Sequence, residues 1–283
     1  MSFIENIKNE AKKDMKTIVL PEWADIRTLE ATEKIMQEGF ANVVLVGNKE
    51  NIMKKAEENN INLSGAKIED PENSSKFEEY VNSFFELRKH KGMTEENAKE
   101  LMKDPVYFGM MMVKKGEADG LVSGAAHSTA DTLRPALQIL KTLPGTKIVS
   151  SFSFMVVPNC EYGENGVFAF SDTGLNQKPN AEELAEIAIS TAESFKSIFN
   201  KEPKVAMLSY STYGSAKSEE VTKVVEATKL VQEKRPELSV DGEMQLDAAL
   251  VAEVAEIKAK GSPVARLCKH INISRLKCRK YRI

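Results

Sequence analysis

An α/β fold of two domains is predicted by three observations. Short β-rich runs alternate with runs of helical periodicity along the chain. Capping and breaking residues fall where the period changes. The 283 residues match two domains of ordinary size.

The elements follow in order. Thr17–Leu20 (TIVL) reads as a strand closed by Pro21. Asp25 is placed to cap a helix with Ile26, Leu29 and Met36 on one side, stopped by Gly39. Asn42–Val46 (NVVLV) is the next strand, so the three form a βαβ unit with parallel strands. Residues 74–90 carry Phe77, Tyr80, Val81, Phe84 and Leu87 at helical spacing. Residues 105–115 form a helix with Pro105 at its first position and Gly116 past its end. Its Met110, Met111 and Met112 read as core packing. Ala118–Ser123 is a strand running into a small-residue loop, and a helix follows from Thr129 to Lys141.

After the turn Leu143-Pro144-Gly145, Lys147–Val157 is β-rich, which sets a domain boundary there. Val167–Ser171 and Val205–Ser209 are strands, and Leu238–Val240 is a short one. Asn180 with Glu183 makes a capping box for a helix to Phe199. Ser215–Lys234 and residues 246–259 read as helical. The expected domains are 1–146 and 147–265, with residues 266–283 set apart.

Composition excludes several classes. Apolar residues make up 42% and charged residues 29%, as in a packed globule. No apolar run reaches the roughly 18–20 residues of a membrane span. The amphipathic start MSFIENIKNEAKKDMK has no signal-peptide core. Three cysteines without close pairing point to a reducing, cytoplasmic setting. The net charge is −3, yet residues 266–283 hold seven Lys/Arg and no acid. The remainder stands at −10, and only Tyr281 interleaves the basic tail, so neither nucleic acid nor membrane is the expected partner.

Two segments carry candidate chemistry. Ser123-Gly124-Ala125-Ala126-His127-Ser128-Thr129 passes from a strand through small residues into a helix start. That arrangement aims free backbone N–H groups and the helix dipole at one spot, an anion site. Ser128 and Thr129 add hydroxyl donors, and Arg134 lies where it can fork onto phosphate oxygens. The same residues also satisfy an ordinary strand–helix turn with Ser128 or Thr129 as N-cap. Ser209-Tyr210-Ser211-Thr212-Tyr213-Gly214-Ser215-Ala216-Lys217 repeats the pattern in the second half. It is either a second wall of an anion-gripping cleft or a solvated loop. Arg88 ends an apolar-faced helix, where a cation complements the helix dipole. Asp241, Glu243 and Asp247 read as caps and Lys partners before a metal set, and no metal is expected. Cys160 reads as a small core residue, and nothing near in sequence marks His127 as an activated base.

The segments ADGLVSGAAHSTADTLRPALQILKT, PNCEYG, NAEELAEIAISTAESFK, KVAMLSYSTYGSAKS and VDGEMQLDAAL together resemble the phosphate acetyltransferases, in the family's order, from residue 1 to about Ala265. The resemblance implies two α/β domains with a cleft between them, like isocitrate dehydrogenase. It implies interconversion of acetyl-CoA and phosphate with acetyl phosphate and CoA, in acetate metabolism. No cofactor is implied beyond CoA as a substrate, and a homodimer is the expected assembly. Arg88 and Arg134 match arginines of the family's CoA and phosphate binding, and Ser128 and Thr129 match its phosphate loop. Tyr213, Gly214, Ser215 and Lys217 match a second substrate loop. Cys160 matches a cysteine near the active site that is not the nucleophile. Phosphate butyryltransferase is the related alternative. A catalytically dead remnant binding CoA and phosphate is another.

The tail departs from the family. After GSPVA, members continue with a strand, an AGNIGYK-like loop and a later Ser–Arg and Asp motif that supplies the base, so the catalytic residue is unknown here. This chain reads RLCKHINISRLKCRKYRI instead. Back-translated with A/T-leaning codons and read one base later, it gives GFANILIFPDLNAGNIGYK. Residues 266–283 are therefore expected to be a frame-shifted tail, and the second domain to lack a sheet strand.

Overall fold

The computed structural model describes residues 3–265 and, as backbone only, residues 270–273. The chain divides into two units, residues 1–141 and 142–283.

The first unit opens with α1 (Phe3–Lys13), β1 (Thr17–Leu20), α2 (Ile26–Glu38) and β2 (Asn42–Val46). Asp25 caps α2 by accepting the Arg27 amide, and Gly39 ends it in the left-handed region at φ 65°. Then come α3 (Lys49–Glu58), β3 (Lys67–Glu69), α4 (Phe77–Arg88), α5 (Glu95–Met102), α6 (Pro105–Lys114), β4 (Gly120–Leu121) and α7 (Thr129–Ile139). The four strands pair in the order β3-β2-β1-β4, all parallel. The expected six-residue strand at 118–123 shrinks to Gly120–Leu121, because only these two residues pair with β1.

Helix α6 is the core of this unit. Val106, Phe108, Met110, Met111 and Met112 are all buried. They join Tyr80, Val81 and Phe84 of α4 and Val19 of β1 in one cluster. Gly109 allows the helix to approach the sheet. A Cβ there would sit 2.7 Å from a Leu121 methyl and 2.8 Å from a Val19 methyl. Packing α6 on β1 and β4 therefore fixes where those two strands end, and their ends carry the first candidate loop.

The second unit comprises β5 (Phe152–Val156), β6 (Val167–Ser171), α8 (Ala181–Phe199), β7 (Lys204–Leu208), α9 (Glu219–Lys234), β8 (Ser239–Met244), α10 (Leu246–Leu250), α11 (Ala252–Lys258) and β9 (His270–Ile273). The capping box at Asn180 and Glu183 forms in both directions. The helix expected from Ser215 starts at Glu219, because Ser218 is the residue that caps it. The helix expected over 246–259 breaks at Val251, which is extended at ψ 120° and separates α10 from α11.

The sheet order is β5-β6-β9-β7-β8, with β5 antiparallel and the rest parallel. The backbone of His270–Ile273 takes the central place between β6 and β7, because strand pairing uses main-chain groups that any residue supplies. The remaining tail residues lie outside the described residues.

Strand β9 fits that place poorly by residue type. Its register sets His270 opposite Val205 and Asn272 opposite Met207, both buried in a cluster with α8 and α9. Interior strands of parallel sheets are near-continuous apolar runs, as β7 (KVAML) is and HINI is not.

Candidate active site

In the first unit, β1 and β4 are parallel neighbours, so the loops leaving their carboxyl ends abut. The loop after β1 carries Glu22, whose residue is 5% exposed. The loop after β4 wraps around its carboxylate. The backbone N–H groups of Gly124 and Ala125 donate to Oε2 at 2.8 and 2.9 Å. Those of Ala126 and His127 donate to Oε1, both at 2.8 Å. The His127 ring adds Nδ1 at 2.8 Å from Oε1. Burial on its own raises this carboxyl group. The amides of Ala126, His127 and Ala125 and the His127 ring outweigh it and bring the pKa down to about 2. Arg27 braces the same loop from α2, donating to the Ala125 carbonyl at 2.6 Å while paired to Asp25.

The anion site expected from sequence is thus occupied by the protein's own anion. The amides of 124–127 are not free, and an external phosphate would have to displace Glu22 to reach them. Ser128 is the N-cap of α7, accepting the Asp131 amide at 3.2 Å and donating to the Asp131 carboxylate at 2.7 Å. Thr129 and Arg134 stand exposed on α7, with the Arg134 guanidinium 4.0 Å from Asp131. Arg88, at the end of α4, is half-buried, and its Nε is buried without a hydrogen-bond partner among the described residues. Burial raises the Tyr107 phenol, while the charges of Arg134 and Arg88 act on it in the opposite sense. Both guanidinium groups therefore lie within electrostatic reach of one phenol on α6.

The second unit repeats the construction. The loop after β7 closes on Glu243, which is 2% exposed. Glu243 Oε1 accepts from the Ser211 hydroxyl and from the Gly214 amide, both at 2.8 Å. Its backbone carbonyl accepts the Tyr213 amide at 3.2 Å. Tyr213 and Gly214 are successive left-handed residues, at φ 47° and 81°, and this turns the loop back over Glu243. The Tyr213 phenol donates to Asp241, as does Ser262. Burial first and the Asp241 carboxylate second push the phenol up to about 12, so it stays protonated. Ser215 Oγ accepts the Thr212 amide at 3.0 Å. Lys217 is exposed, with no ion pair among the described residues.

The family model of the phosphate acetyl/butaryl transferases matches residues 2–268. The chain belongs to that family. The phosphate acetyltransferase of Acetivibrio thermocellus is 60% identical over 265 residues, covering 94% of this chain and 79% of that relative. Among solved structures, a phosphotransacetylase from Streptococcus pyogenes superposes with a TM-score of 0.87 at 40% identity, covering 96% of this chain and 82% of that one. The EutD phosphotransacetylase from Staphylococcus aureus gives 0.85 at 41% identity, over the same shares.

In this member of the phosphate acetyl/butaryl transferases, Arg88, Ser128, Thr129 and Arg134 belong to the first unit, and Tyr213, Gly214, Ser215 and Lys217 to the second. The Gly214 amide, the Tyr213 phenol and the Ser215 hydroxyl are engaged inside their own loop, while Lys217 is turned outward. Asp247 pairs with Lys258 at 2.9 Å, Asp241 takes hydroxyls, and Glu243 holds a loop. Among the described residues no His/Cys/Asp/Glu group has the arrangement of a metal site. Cys160 is a half-buried free thiol packed against a buried cluster. Sequence reasoning missed Glu22. The available signal was an acid one residue past Pro21, at the end of a strand whose parallel partner leads into the small-residue loop.

The depressed Glu22 pKa has a definite sign. Its folded value of about 2 lies below the ordinary 4.5, so its stabilisation is complete above pH 4.5 and is lost as pH falls toward 2. The loss is on the order of 3 kcal/mol. Glu22→Gln is expected to be less stable than the parent at neutral pH by about 1–3 kcal/mol. It should also lack this segment of acid sensitivity. Urea unfolding of both proteins at pH 6 and pH 3 measures the difference, and a gap that does not narrow at pH 3 contradicts the assignment.

Proposed function

We propose that this chain transfers an acetyl group between CoA and inorganic phosphate, interconverting acetyl-CoA and acetyl phosphate. The observation that carries the reading is 60% identity over 265 residues to a protein named phosphate acetyltransferase, with others of that name at 57% and 52%. CoA, phosphate and acetyl phosphate are the partners, and no cofactor beyond CoA is assigned.

The site residues take roles by chemistry. Arg88 and Arg134 supply charge for the phosphorylated reactants. The unpartnered buried Nε of Arg88 supports this, since a buried donor without an acceptor is costly. Ser128, Thr129 and Lys217 supply donors at the phosphates, and Tyr213, Gly214 and Ser215 shape the second substrate loop. The thiolate attacks the acetyl carbonyl, and cationic and hydroxyl groups hold the developing oxyanion and the departing phosphate.

A homodimer is part of the proposal. Among the described residues strand β5 pairs on one side only, and Met155, Val156 and Val157 beside that edge are exposed, an apolar edge that a second copy would cover. The cysteine usage supports a cytoplasmic site of action.

The assay is acetyl phosphate formation from acetyl-CoA and phosphate by the purified chain, with butyryl-CoA beside it. Preference for acetyl-CoA is expected. Turnover of butyryl-CoA alone would favour the butyryl branch of the family, CoA binding by calorimetry without turnover of either would favour the catalytically dead remnant, and neither binding nor turnover would sink the reading. We also propose that residues 266–283 are read out of frame, which the abrupt change to seven basic and no acidic residues supports. Sequencing the gene across the codon for Ala265 tests this. A frame that matches those of relatives, base for base, overturns it.

A further inference from the structure

We propose that Tyr107 is a positioning residue for CoA binding: its side chain ties α4 to α7 and so fixes the spacing of Arg88 and Arg134, the two guanidinium groups assigned to the phosphorylated reactants. The proposal rests on the acetyl-transfer reading above and adds to it the residue that sets the geometry of its charge pair.

Tyr107 is itself anchored. It lies in the first turn of α6, where its amide donates to the Asp104 cap at 3.2 Å. The same helix is pressed on β1 and β4 at Gly109. The residue is 8% exposed and belongs to the core cluster of the first unit. Two neighbouring helices meet its side chain. On one side the ring packs edge-on against Phe84 of α4, with centroids 5.6 Å apart and planes at 64°. On the other the hydroxyl donates to Gln138 Oε1 of α7 at 3.1 Å. Burial raises the phenol above its ordinary value, so the proton of that bond stays on Tyr107.

Each contact stands one helical turn from an arginine. Arg88 follows Phe84 by one turn on α4, and Arg134 precedes Gln138 by one turn on α7. Residues so spaced share a helix face. The charges of both guanidinium groups reach the phenol, as an arrangement around it requires. Helix α7 has need of such a tie. Pro135, next to Arg134, has no amide hydrogen for the Asp131 carbonyl, so α7 lacks an internal hydrogen bond there. The Arg134 side chain is 62% exposed and Asp131 stands off at 4.0 Å, so the guanidinium is placed chiefly by the helix that carries it. Two cations held at one spacing are pre-organised for an anion with more than one phosphate, and CoA is the reactant of that kind. Loosening the tie weakens CoA binding and leaves the acetyl-transfer step alone.

The test uses the full chain. Tyr107→Phe keeps the ring against Phe84 and removes the hydroxyl. It is expected to raise KM for CoA about 3–10-fold, with kcat and KM for acetyl phosphate within about twofold of the parent. Calorimetry should show the same rise in Kd for CoA. A loss of stability alone would lower the fraction of active enzyme, and so the apparent kcat, with KM unmoved. Gln138→Met removes the acceptor at similar volume and should match Tyr107→Phe, the double variant being no worse than either alone. In an Arg134→Gln background, Tyr107→Phe should change CoA affinity less than about twofold, because its route to the ligand is gone. An unchanged KM and Kd for CoA in both single variants, a loss confined to kcat, or a full effect of Tyr107→Phe in the Arg134→Gln background overturns the proposal. Failure of the acetyl-transfer reading is distinguishable, because it shows in the parent as absent turnover. A parent that binds CoA without turnover still reports the tie through Kd, and a parent that does neither overturns both.

Discussion

Three loops of this chain are folded around carboxylates that the chain supplies to itself. Removing a carboxylate from water is affordable only if donors surround it. Glu22 has four amides and an imidazole, and Glu243 has an amide and a hydroxyl. Asp172 has the amides of Gly174, Leu175 and Asn176, the Asn176 side chain and the Ser151 hydroxyl. Each acid converts a flexible run of small residues into one conformation. Their positions follow from the sheets, since Glu22 and the 124–127 loop meet only because β1 and β4 are parallel neighbours. The packing of α6 on that pair is therefore upstream of everything the loop does.

How much of this was legible in the sequence depends on how local each signal is. The strands Thr17–Leu20 and Asn42–Val46, the Asp25 and Asn180 caps and the Pro105 start are set by neighbours within a few residues, and all appear as read. Helices α3 and α5 and strand β3 went unread. α3 (KENIMKKAEE) has few apolar positions, and β3 is only three residues long. The 123–129 loop was legible as a place where amides converge on an anion. The identity of the anion was not, because Glu22 lies some hundred positions away and its pairing is a tertiary event. The same holds for Glu243, which read as one of three neighbouring acids and proves to be a buried clamp on a loop about thirty residues earlier.

Strand β9 separates two kinds of information. Main-chain pairing needs only an extended segment that arrives between β6 and β7, and His270–Ile273 meets that demand. Side-chain preference is a separate demand, and His270 and Asn272 stand at register positions beside the apolar residues Val205 and Met207. Backbone topology and residue type thus disagree at one strand while agreeing along β6 (VFAFS) and β7 (KVAML). Such a local conflict inside a consistent frame weakens the gap between the native arrangement and its competitors.

The internal carboxylates also constrain the chemistry. A loop whose amides are spent on Glu22 offers no backbone oxyanion hole at that point. An external anion meeting that loop would be met by side chains of the first unit, of which the exposed Arg134 on α7 is one. Side chains of this kind are farther from the backbone and more mobile than amides, so they bind a larger and more variable anion. What the loop gains in exchange is a fixed conformation: five donors converge on one buried carboxylate, and the run from Gly124 to His127 is held in place by it.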